Sequence, residues 1–416
     1  MSTTRKTHEH ARGDDELPVA PYTTWAVAPA DYATPGAAGP PPSLSFANAT
    51  LRHILQTSIG GEQLRVRFSN VYGATPLVIE GAHVALARAG SEIDTASDRA
   101  LGVDGAQRLT IPPGAEVWTD AVAMAVSPDA RLAVSVFVKS ETPARTWHQF
   151  GMQTSYLGEG DLLSASSIAS AADTSGRKAT AYHWVTGLDV YRREAANVVV
   201  VIGDSNIDGF GSTPDEGKRF TNHLARRLAG GTRAVGVVNA GLAGNRLTLD
   251  GPLGESVQKR FARDVLSQTG VSHVLVHIGI NDLGFGGLIP TQCPSVDDIT
   301  AALADLVAKA EERNVKVLLG TLLPWKNATL FGAPFYSEEA ERKRVAVNAW
   351  IRQNTAVHGI VDFEAAVRDP ADASCIQARF DFGDHLHCND AGLDAMANAV
   401  DLAKLRDGRS AHARGR

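Results

Sequence analysis

Three cysteines in 416 residues, Cys293, Cys375 and Cys388, are too few and too irregularly spaced for a disulfide scaffold or a thiolate metal site. An odd count leaves at least one thiol free, and the sequence fits either one disulfide or three thiols. Long apolar runs are missing as well. No stretch reaches the roughly 18 consecutive apolar residues that cross a bilayer, so a soluble protein without a membrane span is expected. Positive charge is not in excess either. The formal net charge is −6, and Lys and Arg form no block beyond short local pairs. A nucleic acid would find no surface on which to condense. The opening MSTTRKTHEHARGDDELP lacks the apolar segment of a signal peptide. As written the chain is expected in the cytoplasm, or outside the cell if a signal was removed.

What is present is ordinary for a globular protein, with 44% hydrophobic and 21% charged residues. At this length one core is too few, and two folded units are expected. Residues 1–20 and 408–416 are polar and aperiodic, which predicts disordered tails. From 21 to 195 short runs alternate apolar and polar residues between Gly, Pro and Asp clusters, the pattern of a β-sandwich or jelly-roll-like domain. In EQLRVRFSNVYG, Leu64, Val66 and Phe68 are expected to face inward while Arg65 and Arg67 face water. Leu132, Val134, Val136 and Val138 repeat that alternation, and turn signals at 59–61, 111–114 and 127–130 punctuate the strands.

From 196 to 407 the pattern changes to continuous apolar runs, NVVVVIGDS, GVVNAG, VSHVLVHIG and VKVLLGTLLP, separated by amphipathic segments. Such runs fit a parallel sheet covered on both faces, giving an α/β fold, a three-layer α/β/α domain of flavodoxin-like type. One helix is expected to start at Ser295, capped with Asp298 in a capping box, with Val296, Ile299, Leu303, Leu306, Val307 and Ala310 on its apolar face. No internal repeat or low-complexity tract is present.

Candidate chemistry gathers at the carboxyl ends of these strands, where open α/β sheets place their ligands. The first strand ends in Gly203-Asp204-Ser205-Asn206. A serine there is placed for nucleophilic attack, although Ser and Asp also serve as helix caps. A nucleophilic serine needs a base and something to hold that base. Asp384 and His387, three residues apart in GDHLHCNDAG, allow one turn to set the carboxylate against Nδ1 while Nε2 faces the serine. Donors for a developing oxyanion are available at Asn281 in GIND and in the glycine-containing NAGLAGNR loop, which includes Gly241 and Gly244. Taken singly, each of these is also an ordinary turn residue.

GDS at 203–205, GLAGN at 241–245, GIND at 279–282 and DHLH at 384–387 together resemble, in order, the sequence blocks of the SGNH/GDSL hydrolases (esterases and lipases), over the whole carboxyl-terminal domain. The resemblance implies a carboxylic ester hydrolase with no cofactor and no metal. In it Ser205 is the nucleophile, His387 the base and Asp384 its orienting partner, while the Ser205 and Gly244 amides and the Asn281 side chain form the oxyanion hole. Gly244 is preferred to Gly241 because the family's oxyanion glycine follows a small residue and precedes a polar one. Two departures stand out. Asn206 occupies a usually apolar position, which implies an altered rim of the oxyanion site, and Cys388 stands where relatives of this two-domain type often have proline. Trp25, the segment 58–70 and His148 are partial echoes of a xylan-esterase-like subgroup with an N-terminal β domain, which implies acetyl or other short acyl esters on carbohydrate.

Neighbouring residues have other readings. Asp204 is expected to brace the turn. His385 and Asp381 are the less favoured base and orienting group. His277 reads as a core histidine, His148 as a cleft-rim or buried residue, and Trp325 as pocket lining or packing. An acyltransferase using the same residues, and a degenerate carbohydrate-binding protein, are the alternative functions. A small-molecule or glycan ester is the expected partner, and the oligomeric state is not encoded in any motif.

Overall fold

In RLAVSVFV every second residue is apolar and branched or large, and the computed structural model of the chain forms an eight-residue strand there, Arg131–Val138, with Leu132, Val134, Val136 and Val138 fully buried. The structure describes residues 19–34, 43–168, 180–251, 253–330 and 332–408. The expected tails, 1–20 and 408–416, lie outside them except for residues 19, 20 and 408.

Two five-stranded antiparallel sheets form the body of the amino-terminal part, with three smaller ones beside them. One joins Ala20–Ala26, Val185–Arg192, Gly61–Ser69 and Glu116–Trp118, with Val122–Val126 also paired to Gly61–Ser69. The other runs Ser155–Glu159, Ala49–Gln56, Arg131–Val138, Gly81–Leu86 and Arg99–Leu101. Their inner faces share one core that includes Trp25, Leu51, Leu64, Val66, Phe68, Val134 and Leu188, so this part is a β-sandwich.

Arg67 corrects the simple alternation. Leu64, Val66 and Phe68 are buried as expected, but Arg67 is only 5% exposed. Its guanidinium donates to the Thr186 hydroxyl at 3.1 Å and lies 5.3 Å from the Trp118 ring. Arg65 also sits beside Trp118, at 4.6 Å, and donates to Asp189. The polar face is covered because Trp118, from the paired strand, lies across both arginines.

The second part is a five-stranded sheet in the order Ala234–Gly241, Ala196–Gly203, Val271–His277, Lys316–Gly320, Gly359–Val361. Every neighbouring pair is parallel, and the order 2-1-3-4-5 is that of flavodoxin-like sheets. Because successive side chains alternate faces, Val198, Val200 and Ile202 enter one core while Val199 and Val201 enter another. Helices Val257–Phe261, Ile280–Leu288, Val296–Glu311 and Glu338–Gln353 cover the first core, and Phe220–Leu228, Phe363–Val367, Asp390–Asn398 and Leu402–Arg406 cover the second. Three layers result. The Val296–Glu311 helix starts in the expected capping box, with Ser295 and Asp298 hydrogen-bonding reciprocally, and buries Ile299, Leu303, Leu306, Val307 and Ala310.

Polar bonds join the two parts. Thr23 donates its amide to the Thr269 carbonyl, Ser58 Oγ accepts from Val237 at 2.9 Å, and Tyr72 donates to Glu255 at 2.7 Å. All three cysteines are thiols, and burial pushes the Cys388 thiol above its ordinary range.

Candidate active site

Ser205 opens a single helical turn, Ser205–Asp208, directly after the first strand of the parallel sheet. Asp204 caps that turn, its carboxylate accepting the Asn206 amide at 3.1 Å. Capping therefore falls to Asp204, and the Ser205 hydroxyl has another partner. His387 Nε2 lies 2.7 Å from Ser205 Oγ, and His387 Nδ1 lies 2.6 Å from Asp384 Oδ2. A carboxylate only accepts, so Nδ1 carries the hydrogen and Nε2 presents its lone pair to the serine.

The Asp384 carboxylate is itself fixed, accepting the amides of Leu386 at 3.0 Å and His387 at 2.9 Å. Burial acts to raise its pKa, but the His387 ring and these amides outweigh that and hold it below the usual carboxylate range. Ser205 and His387 are 6% and 7% exposed, so the pair is largely shielded from water.

Asn206 does not sit on an oxyanion rim, as its position beside the nucleophile implied. It is buried and turned toward the histidine loop, donating to the Leu386 carbonyl at 3.4 Å and accepting the Cys388 amide at 3.3 Å. A polar side chain is required because both main-chain partners are buried with it.

On the other side of Ser205 lies the Gly241–Thr248 loop. Gly241 brings the strand end against the Ser205–Asp208 turn, where an added Cβ would come within 2.2 Å of the Asp208 nitrogen. Gly244 has φ +73° and packs so tightly on Leu253 that a Cβ would lie 2.0 Å from it. Asn281, buried at the start of Ile280–Leu288, gives one amide hydrogen to the Asn245 carbonyl at 3.0 Å, which leaves the second for a ligand. No described residue accepts from the Ser205 or the Gly244 amide. Asp282 holds the far end of the loop, accepting the Leu247 amide at 2.7 Å and the Thr248 amide at 3.0 Å.

Two supports were not legible as such. Arg260, fully buried, donates to the carbonyls of Gly203 at 3.0 Å and Ala240 at 2.8 Å and to Asn245 Oδ1 at 3.0 Å, bolting the first two strand ends to the loop. Its spacing from Asp264, which it also meets at 3.0 Å, was the available signal. Asp208, one turn beyond Ser205, accepts the Ala243 amide at 2.9 Å and faces His148 Nε2 at 3.0 Å. His148 is therefore buried between the two parts of the molecule, 2% exposed, and does not rim an open cleft.

The remaining candidates stand apart from the serine. His385 is exposed and pairs with Asp381 at 2.6 Å, so neither serves Ser205. His277 packs edge-on against Phe363, and burial lowers its pKa to about 4. Trp325 is completely buried against Phe335 and Tyr336 and donates to Glu341, which is packing and not pocket lining. A cleft of about 480 Å³ beyond the loop is lined by Thr248, Leu249, Gln292 and Cys293 but not by Ser205 or His387. Beside the histidine, Phe210 lies 4.5 Å from the His387 ring and is flanked by Phe150 and Phe382, the last 51% exposed. Among the described residues no group of three or more His, Cys, Asp or Glu is placed to hold a metal, and no helix is long and apolar enough to cross a membrane.

Residues 201–395 match the model of the GDSL-like lipase/acylhydrolase family, a span that runs from the strand preceding Ser205 to the helix after His387. Among solved structures, an aryl esterase from M. smegmatis is 20% identical with a TM-score of 0.39, covering 49% of this chain and 96% of its own. A catalytic mutant of an acetylxylan esterase from Geobacillus stearothermophilus is 22% identical with a TM-score of 0.37, covering 51% and 94%. A carbohydrate acetylesterase from Sinorhizobium meliloti is 16% identical with a TM-score of 0.38, covering 49% and 95%. No curated protein matches the chain in sequence. Residues 201–395 thus form a domain that matches the GDSL-like lipase/acylhydrolase family, and the chain is a carboxylic ester hydrolase.

Proposed function

We propose that the chain hydrolyses short acyl esters, acetyl esters foremost, of a carbohydrate alcohol, by way of an acyl-enzyme on Ser205. The observation that carries the reading is the unbroken line from Ser205 Oγ through the His387 ring to Asp384, with contacts of 2.7 and 2.6 Å. It favours catalysis over a role in binding alone. In this reading residues 21–195 are an accessory domain and 196–407 the catalytic one.

As Ser205 Oγ bonds to the ester carbon, its proton passes to His387 Nε2, and the Asp384 carboxylate stabilises the imidazolium. The carbonyl oxygen becomes an oxyanion, taken by the Ser205 and Gly244 amides and the second amide hydrogen of Asn281. Collapse breaks the bond to the alcohol, which leaves with the proton from Nε2. Water then loses a proton to His387 and attacks the acyl carbon, releasing the acid and restoring Ser205.

The leaving oxygen must lie beside Nε2, so the alcohol occupies the His387 side, over Phe210 and the exposed Phe382. Aromatic rings stack on the apolar face of a sugar. The tight cover over Ser205 favours a small acyl group.

The test is a series of p-nitrophenyl esters from acetate to octanoate beside acetylated xylosides. The reading expects kcat/KM to fall with acyl length and acetate release from the xylosides. A preference for octanoate with no release from acetylated sugars would replace it by a lipase reading.

A further inference from the structure

We propose that His148, in the amino-terminal sandwich, is a positioning residue for catalysis: acting through Asp208, it sets the Ala243–Gly244 peptide and so aims the Gly244 amide. The inference rests on Gly244 being an oxyanion donor as proposed above. It assigns the sandwich a part in the reaction.

Every link is short and buried. His148 comes from the Thr146–His148 strand, and its Nδ1 meets the Ala28 carbonyl at 2.9 Å. Nε2 meets Asp208 Oδ1 at 3.0 Å. Both ring nitrogens thus lie within hydrogen-bond distance of an oxygen, one from each part of the molecule. Tyr182, itself buried, lies with its ring 6.3 Å from that of His148. Asp208 is 1% exposed, and a carboxylate at such a depth is stable only when paired and hydrogen-bonded. Its other oxygen accepts the Ala243 amide at 2.9 Å. The next amide along the chain is that of Gly244, which no described residue engages, at a residue with φ +73°. A shift of Asp208 therefore moves the one main-chain turn whose amide faces substrate in the proposed reaction.

Asn281 and Asp282 fix the later residues of the loop, from Asn245 to Thr248, and Gly241 is held against the nucleophile's turn. Among the described residues, the side-chain hydrogen bond to an amide of the intervening Leu242–Gly244 stretch is the one from Asp208. The sandwich reaches this stretch through His148.

His148→Phe keeps a flat ring of similar size but no donor, and His148→Gln restores a donor toward Asp208. With p-nitrophenyl acetate and the full chain, the proposal expects His148→Phe to lower kcat about 10–100-fold, the cost of a misplaced catalytic group. KM should change less than threefold, and fluorophosphonate labelling of Ser205, which uses the same oxyanion donors, should slow in parallel. His148→Gln should recover most of both rates. If His148→Phe does not fold, Asp208→Asn, which keeps size and an acceptor for Ala243, takes its place with the same expected split. A folded variant with unchanged kcat and labelling rate, or a loss that appears only in thermal stability or KM, overturns the proposal. Failure of the underlying reading looks different: Ser205→Ala would remain active, or wild-type Ser205 would not label at all.

Discussion

Asn206 grips the main chain on both sides of His387, donating to the Leu386 carbonyl and accepting the Cys388 amide, so the residue after Ser205 fixes the loop that carries His387. The two halves of the proposed triad are joined by this bracket as well as by the Ser205–His387 contact. Replacement by Leu would strand a buried carbonyl and amide, each worth about 1–3 kcal/mol when unsatisfied. Asn206→Leu is expected to lose about 2–6 kcal/mol in denaturant unfolding and to lower kcat about tenfold with little change in KM. Wild-type kcat in a folded variant would mean that the bracket is structural only.

Asn281 has a divided role in the proposed reaction, one amide hydrogen on the Asn245 carbonyl and the other for the oxyanion. Asn281→Ala should cost about 10²–10³ in kcat at near-constant KM, the range for one lost oxyanion donor. Steady-state kinetics on p-nitrophenyl acetate decides it. A rise in KM at unchanged kcat would place Asn281 in ground-state binding instead.

Asp204 gives a pH signature. Burial pushes its carboxyl up to about 7, Asp282 and Asp208 push the same way, and one of its buried oxygens has no hydrogen-bond partner. The folded chain therefore keeps this proton up to about pH 7, while the unfolded chain releases it near pH 3.9. Between those values the native state binds more protons, and its stability falls as pH rises, levelling off above about pH 7. Asp204→Asn, which keeps the acceptor for Asn206, removes this loss. Urea unfolding at pH 5 and pH 7.5 should show the variant gaining on wild type at the higher pH. A constant difference would contradict the assignment.

The buried histidines of the sandwich act in the opposite sense. Burial lowers His53 and His183 to a pKa of about 3, so both stay neutral in the fold while the unfolded chain takes up protons below about pH 6.5. Stability from this source is complete above pH 6.5 and is lost as pH falls toward 3. His53→Gln should flatten the dependence of unfolding free energy on pH between 6.5 and 5. An unchanged slope would locate the acid sensitivity elsewhere.

How much of this was legible in the sequence depended on the range of the contact. The strand runs, the capping box at Ser295 and the Asp384–His387 turn are local patterns, and the structure brings Ser205 to His387 because both stand at the carboxyl edge of one parallel sheet. Arg67 was misread because strand alternation does not say what lies over the outer face, and Trp118 does. Asn206 was misread for the same reason, since its partners come from 180 residues away. His148 and Asp208 meet only once the sandwich is docked on the parallel-sheet part, a relation that no local spacing encodes.

The account stands on Ser205 as the nucleophile that His387 activates. Intact-mass measurement after a fluorophosphonate probe tests this most directly. One adduct on the wild-type chain, mapped by peptide sequencing to Ser205, absent from Ser205→Ala and strongly slowed in His387→Ala, is the predicted result. An adduct on another residue, or Ser205→Ala labelled and active like wild type, would contradict it.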